Sequence, residues 1–170
     1  VGDPARVAKG SSYFDTIEIK KGNREFTTHT GTLKGKRITV VSTGIGTDNI
    51  DIVLNELDAL VNIDFGSREI KSDKIRLDIV RVGTSGAIQP QIPVDSFLMS
   101  EYALGFDNLM HFYQSDAILN PVIQNAFITH TQWSRNKSIP YFVECNRSLA
   151  KKFQSDRMLD GLTATNVGFY

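Results

Sequence analysis

The sequence predicts a mixed α/β fold, and three observations carry that reading. Short β-branched runs alternate with helical patterns along the chain. The segment from Arg24 to Ser42 reads as a β-hairpin, which makes the sheet mixed rather than purely parallel. Ile50, Val53, Leu54, Leu57, Leu60 and Val61 keep the i, i+3, i+4, i+7 rhythm of an amphipathic helix. With 170 residues, 41% of them hydrophobic and 22% charged, the chain is long enough for one globular domain with a sizeable core, so a single domain over 1–170 is expected.

Charge and cysteine usage narrow the function classes. Nineteen basic and nineteen acidic residues cancel to a net charge of +0, which argues against duplex nucleic acid or an anionic membrane as partner. A small anion held by a few arginines stays open. The single Cys145 can form no internal disulfide, and no signal peptide or long apolar run is present; a cytoplasmic setting is expected. His29, His111 and His130 stand in unrelated contexts without metal-ligand spacing, so no metal is expected. Val1 in place of methionine, and an end at Gly168-Phe169-Tyr170 without a polar tail, suggest a chain cut at both ends.

In chain order, Val1-Gly2-Asp3-Pro4-Ala5-Arg6 has the composition of a strand-to-helix turn able to present N–H groups to an anion. Arg24-Glu25-Phe26 opens the hairpin, Lys34-Gly35-Lys36 turns it, and Arg37 to Ser42 is its second strand. On local grounds Arg24 and Glu25 read as an exposed ion pair of little worth. Thr43 to Asn49 joins that strand to the amphipathic helix, with Asp48 or Asn49 as its N-cap. The Gly44-Ile45-Gly46 pair alone is too short for a dinucleotide fingerprint, and the Leu and Val stripe of the helix reads as core.

After a polar loop over 67–74, Ile75 to Val80 has the β-branched content of a buried strand that ends in Arg81-Val82-Gly83-Thr84-Ser85-Gly86. A guanidinium, two hydroxyls and two glycines at the carboxyl end of a strand suit an oxyanion; a tight turn with Arg81 paired to a carboxylate is the alternative. Ser96 to Ser100 follows as a strand, and the aromatic stretch Gly105 to Tyr113 reads as a cover for the sheet edge. A helical pattern over 122–128, a strand at 141–143, a helix over 146–153 and a last strand over 159–165 complete the chain.

Three separated stretches then fit one pattern: Gly2-Asp3-Pro4-x-Arg6; Arg24-Glu25-Phe26 before Ser42-Thr43-Gly44-Ile45-Gly46; and Arg81-x-Gly83-Thr84-x-Gly86-Ala87-Ile88-Gln89-Pro90. Together they resemble the uridine phosphorylase branch of the nucleoside phosphorylase superfamily. The resemblance implies a three-layer α/β/α fold with a central, mixed, twisted sheet flanked by helices. It implies phosphate ligands at Gly2, Arg6, Arg24, Arg81 and Thr84, with Arg81 and Thr84 as the catalytic pair and Arg24 reaching the neighbouring subunit's site. Thr84 would also face the ribose, and Ser85, Gly86 and Phe169 would border ribose and base. The implied assembly is a homodimer with a shared active site, built up into a hexamer, with nucleoside and phosphate as its ligands and no nucleic acid or membrane.

The implied reaction is phosphorolysis of a ribonucleoside, with inorganic phosphate as co-substrate and no cofactor. Several arginines on one oxyanion are what such a reaction needs, because the protein aligns the phosphate and stabilises charge rather than supplying a nucleophile. In the family, the residues that read uracil and hold the ribose hydroxyls follow the Gly-Phe-Tyr at which this chain ends. An N-terminal histidine lent to the adjoining ribose is also absent, so the chain matches the N-terminal and middle part of the catalytic domain. The neighbouring readings are a purine nucleoside phosphorylase, a nucleosidase of the same fold, and a non-enzymatic nucleoside-binding relative.

Overall fold

The computed structural model describes residues 1–168, arranged as two compact units that divide between Thr84 and Ser85. Helices and strands alternate in both, and one of the three sheets is mixed, so the α/β class holds.

The first unit is built on a three-stranded antiparallel sheet of β1 (Thr16–Asn23), β2 (Phe26–Leu33) and β3 (Lys36–Val41), in that order. The β2–β3 hairpin is the one the alternating pattern predicts. The partner strand β1 is additional to that hairpin, and its segment Thr16-Ile17-Glu18-Ile19-Lys20 alternates cleanly. As an edge strand β1 is exposed along its whole length, and Lys20 and Lys21 guard its open side. The central strand β2 buries His29, Thr30 and Gly31. A side chain at Gly31 would collide with the carbonyl of Thr16, where the bulge between Ile17 and Ile19 brings β1 close.

Helix α1 (Ala5–Ser11) packs on β2 and β3 through the two side chains that one turn of helix places on a common face, Val7 and Ser11. Helix α2 (Thr47–Asn62) starts earlier than expected. Gly46, not Asp48 or Asn49, holds its N-cap position, because the Asn49 amide is drawn back to Glu25 and to the Ile45 carbonyl. Its apolar stripe is core only at Val53 within the described residues; Ile50, Leu57 and Val61 are half-buried, and Leu54 and Leu60 are exposed. The polar loop after it contains a small hairpin of β4 (Ile63–Asp64) and β5 (Glu69–Ile70). There the Asp64 carboxylate accepts from the N–H groups of Ser67 and Gly66, which hold its pKa below the usual carboxylate range.

The expected strand over 75–80 is a correction: these residues join no ladder, and Ile75, Leu77, Ile79 and Val80 are 42–55% exposed. β-branched content favours a strand only where a partner supplies hydrogen bonds. The run is anchored at its start alone, where the buried Asn62 amide takes both the N–H and the C=O of Ile75.

The second unit centres on β6 (Phe97–Gly105), with β7 (Tyr141–Glu144) antiparallel on one side and β8 (Met158–Thr165) parallel on the other. Between them run a 3-10 turn (Leu109–Phe112), α3 (Pro121–Thr131) and α4 (Arg147–Ala150). Helix α3 has Pro121 at its start and the Asn120 side chain as N-cap, accepting from the Ile123 N–H at 3.1 Å. The helix expected over 146–153 is regular only as α4, with Asn146 as its cap. Leu104 and Phe142 are the buried centre, and Phe106, Phe127, Trp133 and Phe142 form a connected aromatic cluster against it.

The aromatic stretch over 105–113 packs on edge strand β7. The Tyr141 hydroxyl donates to Asp107 at 2.5 Å, and the His111 ring meets Tyr141 edge-on and bonds the Ile139 carbonyl. Burial and then the Asp107 carboxylate push the Tyr141 phenol pKa up. Among the described residues no helix is long and apolar enough to cross a membrane.

Candidate functional site

Gly2, Arg6 and Arg81, three of the first unit's predicted site residues, lie near the end of β3. Val1 and Gly2 lie beside it, tied by backbone hydrogen bonds: the Val1 amino group donates to the Val41 carbonyl at 2.8 Å, Thr43 N–H to the Val1 carbonyl at 2.8 Å, and Gly44 N–H to the Gly2 carbonyl at 2.9 Å. This pairing fixes Gly2 and leads directly into α1. The turn between them is closed by Asp3, whose carboxylate accepts from Ala5 N–H at 2.8 Å. Arg6 follows on the first turn of α1 and is half-buried.

Arg81 belongs to the same neighbourhood. The Val1 amino group has its pKa lowered first by burial, then by the positive charges of Arg81 and Arg6, so both guanidinium groups act on one point. The Arg81 guanidinium is folded back over Gly83, where an added Cβ would lie 2.8 Å from Nη1. Among the described residues the ion pairs are Arg37–Glu18 and Arg147–Glu144; Arg6, Arg24 and Arg81 pair with no carboxylate. The alternative of Arg81 bound to a carboxylate is therefore not what this geometry holds.

The expected Arg24–Glu25 ion pair is also absent. These residues form the two-residue tip between β1 and β2, flanked by the pair Asn23–Phe26, with Arg24 in the left-handed region at φ 54°. Glu25 is turned away: its carboxylate accepts from the Asn49 amide at 3.0 Å and its carbonyl from Ser42 Oγ at 2.6 Å. Ser42 Oγ in turn accepts from Thr27 N–H at 2.8 Å, so this fully buried hydroxyl clamps the base of the tip. Arg24 is left exposed at its end. Asn49 does not cap α2 but braces Glu25, a role that carries no local sequence signal.

Gly44 is where these pieces meet. It adopts φ +67°, and a Cβ there would sit 2.6 Å from Glu25 Cγ and 2.9 Å from Asn49 Nδ2. Gly44→Ala is expected to cost about 1–2 kcal/mol from the backbone conformation alone, and to break the Asn49–Glu25 brace. A urea titration of the full-length protein, comparing midpoints at constant slope, checks it.

The remaining residues are less gathered. Thr84 is exposed at the end of the first unit, Ser85 and Gly86 are exposed at the start of the second, and Phe169 lies outside the described residues. An open groove of about 520 Å³ in the second unit, lined by Gln91, Pro93, Asp95, Ser96, Phe97, Arg157 and Leu159, contains none of the predicted residues. Among the described residues no three His, Cys, Asp or Glu side chains form a metal-binding group.

The family model described as the phosphorylase superfamily matches residues 1–170. The chain belongs to the phosphorylase superfamily. It is 36% identical over 169 residues to uridine phosphorylase of Thermococcus kodakarensis, covering 99% of this chain and 50% of that relative. To uridine phosphorylase of Haemophilus influenzae it is 36% identical over 112 residues, 66% of this chain and 39% of the relative. The chain thus spans half or less of the length of these relatives. A crystal structure of Trypanosoma brucei nucleoside phosphorylase, described as showing uridine phosphorylase activity, matches with a TM-score of 0.83 at 29% identity, over 99% of this chain and 62% of that one. The fold of this superfamily member is therefore that of a nucleoside phosphorylase.

Proposed function

We propose that the protein is a pentosyltransferase that splits uridine with inorganic phosphate into uracil and ribose 1-phosphate. The observation that carries this reading is that Arg6, on the first turn of α1, and Arg81, folded over Gly83, both lie close enough to Val1 at the end of β3 for their charges to act there, and neither pairs with a carboxylate among the described residues. A phosphorylase superfamily chain with uncompensated guanidinium groups beside a glycine-lined strand end is suited to a phosphate dianion. Gly2, Arg6, Arg81 and Thr84 are the phosphate residues of this proposal, and Arg24 is the residue lent to a neighbouring subunit. Thr84, Ser85, Gly86 and Phe169 are its ribose- and base-facing residues. Likeness to two uridine phosphorylases supports uridine as the nucleoside.

In this reaction a phosphate oxygen attacks the anomeric carbon, the carbon–nitrogen bond to the base breaks, and its electron pair stays with the base nitrogen, which ends protonated. Arg81 and Arg6 hold the phosphate under the sugar and oppose its charge as the oxocarbenium-like centre develops. Thr84 holds phosphate and ribose in a fixed relation. A single catalytic domain is supported by the unbroken family match over 1–170, and a cytoplasmic site by the free Cys145.

The test is product analysis of the full-length protein with uridine, with and without phosphate. Turnover is expected only with phosphate, giving ribose 1-phosphate, and faster with uridine than with inosine. Equal turnover in phosphate-free buffer, with free ribose as product, would replace the phosphorylase with a nucleosidase.

A further inference from the structure

Beneath α1 lies a buried polar pair that the reaction does not use. Ser11 Oγ and Nδ1 of His29 are 2.7 Å apart, with Ser11 3% and His29 9% exposed. Ser11 ends the helix whose first turn carries Arg6, and His29 stands in the middle of central strand β2. The other anchor of the helix to the sheet is Val7, fully buried on the same face. Apolar contact is non-directional and lets a short helix roll about its axis, whereas a hydrogen bond prescribes an angle. With Val1 and Gly2 paired to the end of β3 and Ser11 tied to β2, the helix is held at both ends. Arg6, adjacent to Val7 and about 100° around the helix from it, is then aimed by that rotation.

Net stability does not account for the pair, since two apolar groups of the same shape serve as well as a buried hydrogen bond. We infer that Ser11 and His29 form a latch that fixes the rotation of α1 and so aims Arg6 at inorganic phosphate. They are positioning residues for the co-substrate, and the inference rests on the functional reading above.

The test uses the full-length enzyme, with uridine and inorganic phosphate varied separately. Ser11→Ala is expected to raise the KM for phosphate about tenfold, a loss of the size that small misplacements cause, and to leave the KM for uridine unchanged. Ser11→Ala also strands Nδ1 in a buried place and lowers the melting temperature. The double variant Ser11→Ala/His29→Leu removes both polar partners, so its melting temperature should return towards wild type while its phosphate KM stays raised. His29→Leu alone should raise the phosphate KM as Ser11→Ala does, whereas His29→Asn alone, whose amide reaches the Nδ1 position and keeps the bond to Ser11, should hold it near the wild-type value. Recovery of phosphate KM together with melting temperature in the double variant would make the pair packing alone and overturn the latch. An equal rise of both Michaelis constants in Ser11→Ala, or no rise in either, would overturn it as well while leaving the functional reading intact. Wild-type turnover independent of phosphate would instead remove the functional reading, and the latch with it.

Discussion

Arg81→Ala is expected to reduce kcat/KM for phosphate by about 30- to 150-fold, the equivalent of about 2 to 3 kcal/mol for one charge-assisted contact at the reacting oxyanion. The guanidinium is placed for that role by its fold over Gly83 and by the lack of a carboxylate partner among the described residues. An arginine already neutralised by a carboxylate would show a far smaller loss. Arg81→Lys keeps the charge but replaces a planar fork with a point charge, so it should recover only part of the rate. Arg81→Ala should also leave the melting temperature near wild type, because the residue is exposed and makes no ion pair among the described residues. A rate loss below threefold, with phosphate shown to be required by the wild type, would remove Arg81 from the phosphate site.

How much of this arrangement the sequence discloses depends on the range over which each feature is decided. The β2–β3 hairpin, α3 and β7 are settled by local alternation, a proline start and a compact apolar run, and all three form near their expected places. β1 has an equally clear alternation in Thr16 to Lys20, but the lysines and glycine that follow weaken its strand signal. Ile75 to Val80 is the opposite case. Its composition is that of a strand, but a strand exists only with a neighbour, and within the first unit the run meets the Asn62 side chain and no ladder. The exposure of Leu54 and Leu60 in the α2 stripe has a related cause, since a helix face becomes core only where another element covers it, and within the described residues these two have little such cover.

The site follows the same rule. Arg81, Arg6 and Gly44 stand out because charge and glycine at the ends of apolar runs are visible in one dimension. The braces do not stand out: Asn49 reaches Glu25 across 24 positions, Ser42 reaches Glu25 across 17, and Ser11 meets His29 across 18. Each is a small polar residue whose value lies in a partner far along the chain. Such residues read as caps, loop polarity or strand filler until the sheet brings them together.

Arg24 supplies the test on which the shared-site proposal depends most. Its hairpin tip is held in place, because Ser42 and Asn49 both hold Glu25, while Arg24 itself extends from the tip in a left-handed conformation, exposed and, among the described residues, without a carboxylate partner. A side chain presented this way, on a clamp that keeps its neighbour turned inward, is suited to entering a site on another subunit. Arg24→Ala and Arg81→Ala should then each be defective when assembled alone. Mixed in equal amounts and allowed to exchange subunits, they should regain about a quarter of the wild-type activity: half the dimers are mixed, and in each mixed dimer one site has both arginines intact while the other has neither. Activity would be measured before and after exchange, with exchange verified by mass. Verified exchange with no regain would place Arg24 in its own chain's site or outside any site, and would withdraw the shared-site dimer while leaving the roles of Arg6 and Arg81 to stand on their own measurements.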